Sequence, residues 1–408
     1  MAGRGTLCAW ALALGTLLGA PQARADGDGF KIGESGRLHV FGEVDAGYDS
    51  NALYTAGGSP AGSAVLDFIP GLKLSVPGRL LELTLDGQLD YKLYLAQQAS
   101  LQHLSHLFGG ATLGFAANKN GVVGLELKDS FSSSAGSTSL SLSQIAISNY
   151  NVLDVAVPVR PGGGALTFTV SGQWMLDSFG SYGPAFSGCQ SIPLCNYNGN
   201  VGSYDYNQVS GALQAKWSFL PRTAAVLEGS YFDRIPSDTT VSLPVQGVRA
   251  DGGLVGLVTP HVAATVKGGW GEVVSTPGIG GSVWLANVEL DYVTLGSLDA
   301  RVGWNHDFSA DVGTQYAVYE YHRVYVDIHW MVGRATLKLS GNWQYVDYIQ
   351  EGVTGPIWQV NPGVDYGLAS WCTVGANYIF TNRSSNVTDV PAFNFTRHQV
   401  FGYIRATF

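Results

Sequence analysis

Charge is scarce in this sequence. Asp, Glu, Lys and Arg make up only 13% of its 408 residues, about half the roughly 25% of an average soluble protein. The basic sign is the scarcer, with 22 Lys and Arg against 31 Asp and Glu and a net charge of -9. No basic cluster occurs, so a nucleic-acid-binding surface is not expected. Long apolar runs are also missing: none reaches the 18 or more residues of a membrane-spanning helix. Phosphate-cradling glycine loops are absent. So is the Gly-x-Ser-x-Gly elbow of a serine hydrolase, and no enzyme is expected.

Apolar residues, in contrast, are plentiful at 46%, with 12% aromatics and 54 glycines. Such a chain can bury too much apolar surface to stay disordered. A membrane-like composition without a spanning helix is the puzzle that the rest of the sequence resolves.

The single continuous apolar stretch, Thr6 to Ala20, follows Arg4 and precedes Ala23-Arg24-Ala25. A basic n-region, an apolar h-region and a small-x-small site define a secretory leader over residues 1–25, with cleavage expected after Ala25. Residues 26–408 then form a single domain. The leader holds two arginines and no acid, so the exported chain is more acidic than the whole. Cys189 and Cys195 lie in a Gly/Ser/Asn-rich stretch of this exported protein, where a disulfide is expected. A metal pair there would need further ligands, and the stretch has no histidine. His103 and His106 are three apart, but no carboxylate or cysteine stands at ligand spacing beside them, so no metal or other cofactor is expected.

From about Arg37 onward the pattern is alternation with period two, the mark of strands with one apolar and one polar face. Leu81, Leu83, Leu85, Gly87, Leu89, Tyr91, Leu93 and Leu95 share one face. Glu82, Thr84, Asp86, Gln88, Asp90, Lys92 and Tyr94 share the other. At this length the segment outruns the ~10 tilted residues that cross a hydrocarbon core, whereas a soluble strand averages about 5–6. The same rhythm recurs from Leu166 to Leu176, Val209 to Phe219, Leu298 to Asn305 and Leu337 to Tyr345. It is poor near Gln246 to Val258 and Ile357 to Tyr366.

Short turns at 76–79, 117–121, 160–164, 220–223, 259–262, 294–297, 332–335 and 367–370 interleave with nine longer polar loops, the longest from Asp177 to Asp205. That arrangement requires about 18 strands (16–18) and puts both chain ends on the short-turn, periplasmic side. Lipid cannot hydrogen-bond a free strand edge, so the strands must close. The expected fold is therefore all-β, a transmembrane antiparallel up-and-down β-barrel of the outer membrane, wide enough for an aqueous lumen. Trp217, Trp330 and Trp371 beside short turns, with Trp174, Trp304 and Trp343 toward the long loops, match two interfacial girdles. The segment Gln399 to Phe408 ends on an aromatic residue. It resembles the C-terminal signal read by the barrel-assembly machinery, with Phe408 as its key residue, although Ala406 stands where that signal usually has an aromatic.

Ser50-Asn51, Phe68-Ile69-Pro70-Gly71-Leu72 and the stretch from Leu81 to Leu95 with Asp90-Tyr91 resemble the N-terminal third of the outer-membrane β-barrel porin type 2 family. The resemblance implies a channel. Some members accompany exopolysaccharide machinery and resemble the membrane-spanning half of a two-part export system. The resemblance thus implies polysaccharide as cargo and a periplasmic export protein as partner. The alternatives are a passive or sugar-selective porin for small-solute uptake, and a structural or enzymatic barrel.

The inward faces collect Glu43 and Asp45; Glu82, Asp86, Asp90 and Lys92; Glu126 and Lys128; Glu289 and Asp291; and Asp299 and Arg301. From Gln315 to Trp330 the inward set is Tyr319, Tyr321, Arg323, Tyr325, Asp327 and His329. Tyrosines among charges offer stacking surfaces and hydrogen bonds suited to sugar rings; they equally fill volume and pair with neighbouring charges. An acidic lumen opposes anion entry. The loop from Asp177 to Asp205 is the expected constriction.

Overall fold

In the computed structural model, every one of these alternating segments lies in a β-strand. The structure describes residues 29–54, 60–96, 99–102, 104–135, 140, 146–181, 201–276, 279–294, 296–312, 317–349, 352–387 and 394–408. The leader, His103, Cys189 and Cys195 lie outside these residues.

A short β1 (Phe30–Ile32) is followed by β2 (Gly36–Asp49), β3 (Ser63–Val76), β4 (Leu81–Tyr94), β5 (His106–Ala117) and β6 (Leu125–Ser134). Next come β7 (Ala146–Val159), β8 (Leu166–Ser181), β9 (Tyr206–Leu220), β10 (Thr223–Pro236), β11 (Val245–Thr259) and β12 (Val262–Thr276). The remainder are β13 (Ile279–Val293), β14 (Leu298–Ala310), β15 (Val318–Val332), β16 (Ala335–Tyr348), β17 (Thr354–Ala369), β18 (Cys372–Arg383) and β19 (Phe395–Thr407). A four-residue α-helix, α1 (Ala99–Gln102), lies between β4 and β5.

Each strand from β2 to β19 pairs antiparallel with its sequence neighbour. β19 then pairs with β2, from Gln399↔Asp49 to Thr407↔Phe41. The result is a closed barrel of 18 strands. Where β19 runs out, Phe408 and Val40 exchange backbone hydrogen bonds of 3.0 and 2.9 Å. β1 then takes the free edge of β2 through Phe30↔Leu38 to Ile32↔Gly36. The Phe408 ring stacks on Trp371 at 5.9 Å and 15°.

The outer face is apolar. Leu213 and Leu227 are 65% and 66% exposed and point away from the lumen, as do Phe168, Trp217, Val266, Trp330 and Ile404. Trp217, Trp330 and Trp371 ring the short-turn end. Toward the long-loop end, Trp284 packs on Trp304 at 5.9 Å and Trp343 on Trp358 at 6.1 Å. An apolar belt between two aromatic rings is the outer surface of a barrel seated in a bilayer.

Two poorly alternating stretches are nonetheless continuous strands, β11 and β17. Backbone pairing on both sides holds β11 through Gly252-Gly253 despite the missing side chains. In β17, pairing to β18 skips Asn361 and Pro362, passing from Val360↔Phe380 to Gly363↔Asn377. Pairing of β3 to β4 likewise skips Ile69 and Pro70, because proline has no N–H to donate. Beside it, Gly71 leaves room for the Phe41 ring, into which any Cβ would run. The Pro-Gly motif is thus a local solution for packing Phe41 inside the wall.

Three expected boundaries move. Only residues 277–278 separate β12 from β13, so that connection is not a longer loop. The last short turn is Ser370-Trp371, because β17 continues to Ala369. The turn near Ala117 extends through residue 124.

An outward Arg at Leu213 should cost about 2–4 kcal/mol of folding free energy in lipid vesicles, and Arg at the lumen-facing neighbour Ser210 little. Equal losses in the two variants would contradict the assignment of faces.

Candidate functional site

Inward residues build two charged networks, one toward the short-turn end and one running along the wall up to the long-loop end. In the first, Arg301 Nε meets Asp291 at 2.6 Å and Glu289 at 3.8 Å. The Tyr325 hydroxyl donates to Glu289 at 2.5 Å. On the same face His329 lies 3.8 Å from Asp327, and Lys338 pairs with Asp365, to which Tyr403 also donates. Asp299 stands across from His329, and Arg301 across from Asp327.

The second network lies on β2 to β4. Lys92 sits 3.4 Å from Asp67 and 3.8 Å from Asp90. Lys73 pairs with Asp86 at 3.6 Å, Lys119 with Glu82 at 2.9 Å, and Arg405 with Glu43 at 2.5 Å. Among the described residues, the carboxyl groups Glu43, Asp45, Asp67 and Asp90 thus outnumber the cations Lys92 and Arg405 on this wall.

At the long-loop end the interior is crowded. Phe308, Ala310, Ala317 and Val318, from the end of β14 and the start of β15, pack against Phe232, Val245, Val273, Val283 and Leu285 of β10 to β13. Leu101 and Leu104 pack on Val65, Tyr94, Phe108 and Phe401. Leu140, between β6 and β7, reaches the far side of the mouth and joins Tyr319, Tyr321, Val346, Tyr348 and Val353. These segments fold into the barrel because their apolar side chains find there the only dry surface at a polar rim.

Arginines of the wall hold them by the backbone. Arg234 donates to the Ala310 carbonyl at 2.9 Å and to Gln208 at 3.1 Å, with its guanidinium over the Tyr206 ring at 4.0 Å. Arg249 donates to the Phe308 carbonyl at 2.7 Å and to Asp307 at 3.0 Å. Arg383 donates to the Leu140 carbonyl at 2.5 Å. The Tyr348 hydroxyl donates to Asp311 at 2.7 Å. Arg397 clamps Asp49 at 3.0 Å and lies over Tyr54 at 4.3 Å.

Outside the strands, Asp205 accepts the Phe179 N–H at 2.7 Å, yet burial raises its carboxyl above the usual range. Exposed Asp238 is held below it by the Thr240 hydroxyl and N–H.

The residues singled out from sequence therefore fall in three places. Glu82, Asp86, Asp90 and Lys92 line the β4 wall. Asp299, Arg301, Tyr325 and Asp327 form the network beside the short turns. Tyr319 and Tyr321, at 6% and 5% exposure, lie beneath the inward segments in the aromatic cluster. Arg323 is buried over Tyr325 at 5.4 Å, with no carboxylate bonded to it among the described residues. Arg234, Arg249, Arg383 and Arg397 were not singled out; a cation at an inward position beside a loop is the signal that marks them. The residues that fill the mouth come from the β4–β5, β6–β7 and β14–β15 connections, not only from the loop after Asp177. Of that loop, residues 182–200 lie outside the described ones. Asp177 itself is buried and accepts the Ser148 hydroxyl at 2.6 Å.

No protein-family model matches the sequence. No curated protein matches it. Among solved structures the chain is similar to OccK9 (OpdG) of Pseudomonas aeruginosa at 11% identity, over 92% of this chain and 99% of that one, with a TM-score of 0.47. It is similar to OccAB3 of Acinetobacter baumannii at 9% identity, over 91% and 99%, with a TM-score of 0.46. It is also similar to the FrpB iron transporter of Neisseria meningitidis at 8% identity, over 90% and 66%, with a TM-score of 0.45.

Replacing Arg249 by Ala strands the Asp307 carboxylate and the Phe308 carbonyl. The loss should be about 1–3 kcal/mol, since the pair is mostly but not wholly buried. Urea unfolding of the detergent-folded protein reads it. A midpoint unchanged from wild type would mean that the inward segment is not held by this contact.

Proposed function

We propose that the chain is an outer-membrane channel for passive entry of small hydrophilic solutes, sugars among them. The observation that carries this reading is the inward packing at the long-loop end, above all Leu140 spanning the mouth to Arg383. A mouth narrowed by segments bonded to the wall suits small molecules better than an extended polymer. The lining supports sugars in particular: Tyr325, Asn305, Asn342 and Gln359 are inward groups that can stack on a ring or bond hydroxyls. Asn342 already donates to Gln359 at 3.2 Å, so these amides are oriented rather than free-swinging.

Polymer export finds its support in the motif resemblance alone. A periplasmic export protein as partner is an expectation of the same origin, whereas recognition of Phe408 by the assembly machinery rests on the C-terminal strand and cleavage after Ala25 on the leader pattern. The long loops then face the cell exterior and the short turns the periplasm.

Planar-bilayer recording on the purified protein tests the reading. A steadily open pore is expected without any partner, with modest preference for cations because of the acidic β2–β4 wall. A pore that stays silent until a periplasmic export protein is added would overturn it in favour of polymer export.

A further inference from the structure

The apolar belt is interrupted on the outer face of β5, β6 and β7. Register places Leu113, Asp129 and Leu153 in one cross-strand row, Ala111, Phe131 and Asn151 in the next, and Gly109, Ser133 and Asn149 above. Leu113 and Phe131, 44% and 43% exposed, mark this as the lipid side. The Thr112–Ser130 hydroxyl pair, with Glu126 and Lys128, occupies the lumen side of the same strands. Asp129 therefore points into the bilayer, midway along β6. Its carboxylate accepts the Asn151 amide at 3.0 Å. One carboxylate oxygen, the Asn151 carbonyl and the Asn149 amide remain on the surface without a partner among the described residues.

Acyl chains offer these groups neither donors nor acceptors, and an ionisable side chain held at membrane depth is retained for a purpose. We infer that this face is the contact between two copies of the chain within the membrane. Three features choose a second copy over a different protein. The set holds both donors and acceptors, so a two-fold axis lets Asn149 and Asn151 of each copy bond Asp129 of the other reciprocally. The neighbouring outward positions Gly109 and Ala111 are small, which lets two walls approach closely. The one charge of the set, the Asp129 carboxylate, already accepts an Asn151 N–H within its own copy and would meet the other copy's asparagine N–H groups, so no cationic partner is required. Leu113, Phe131 and Leu153 close an apolar rim around the bonds, and the lumen of each copy is untouched.

A photo-crosslinking amino acid in place of Phe131, introduced into the full-length protein in living cells, tests this. The expected product is an adduct of twice the chain mass containing this chain alone. A probe in place of Val400, lipid-facing on β19, gives none. Asp129→Leu should lower the Phe131 adduct by about tenfold while keeping the heat-modifiable gel migration of a closed barrel. No adduct from the Phe131 position, an adduct with a different polypeptide, or an undiminished yield in D129L would each overturn the inference.

Discussion

Backbone hydrogen bonding in a medium without water governs this molecule. Every N–H and C=O within the belt must find its partner in the chain, and only a ring of strands supplies partners at both edges of each strand. The pairing of β19 with β2 is therefore the contact on which all others depend. The Val40–Phe408 exchange and the short β1 finish the seam where β19 stops. Once the ring closes, each side chain faces either lipid or lumen, and the period-two alternation of the sequence decides which. The low charge of the chain follows: about half of each strand is committed to the lipid side, so charge is concentrated in the lumen, the turns and the loops.

Inside, the same closure sets a second problem. A ring of this size encloses more space than its own side chains fill. Toward the turns the space is left polar, with carboxylates paired unevenly to Arg301, Lys338 and Arg405. Toward the loops it is narrowed by chain that turns back into the barrel. Arginine suits the anchoring role because its donor fork can hold a backbone carbonyl and a second acceptor at once, as Arg234 and Arg249 do. Aromatic rings beneath the guanidinium groups shield these bonds from water.

The wall was legible in the sequence, and the mouth was not. Strand positions, turns and facing could be read because alternation is local: Leu81 and Glu82 declare opposite faces without reference to any other strand. Where glycines or proline dilute the pattern, in β11 and β17, the strand is dictated by its neighbours and the local signal fails. Tyr319 and Tyr321 could be placed on the inward face, but their burial depends on Leu140, which is remote in sequence. Arg383 and Leu140 meet because of where the ring puts them, a relation that no spacing encodes. The outward direction of Asp129 follows from the same alternation that puts Glu126 and Lys128 inside, but its oddness emerges only from its depth, midway along β6 within the apolar belt.

The proposed uptake of small solutes requires a lumen narrowed at its mouth yet open. Liposome swelling with uncharged sugars of increasing length measures that directly. Entry of mono- and disaccharides with a sharp fall for longer chains is the predicted result. Equal entry of long oligosaccharides, or exclusion of even the smallest sugar, would contradict it.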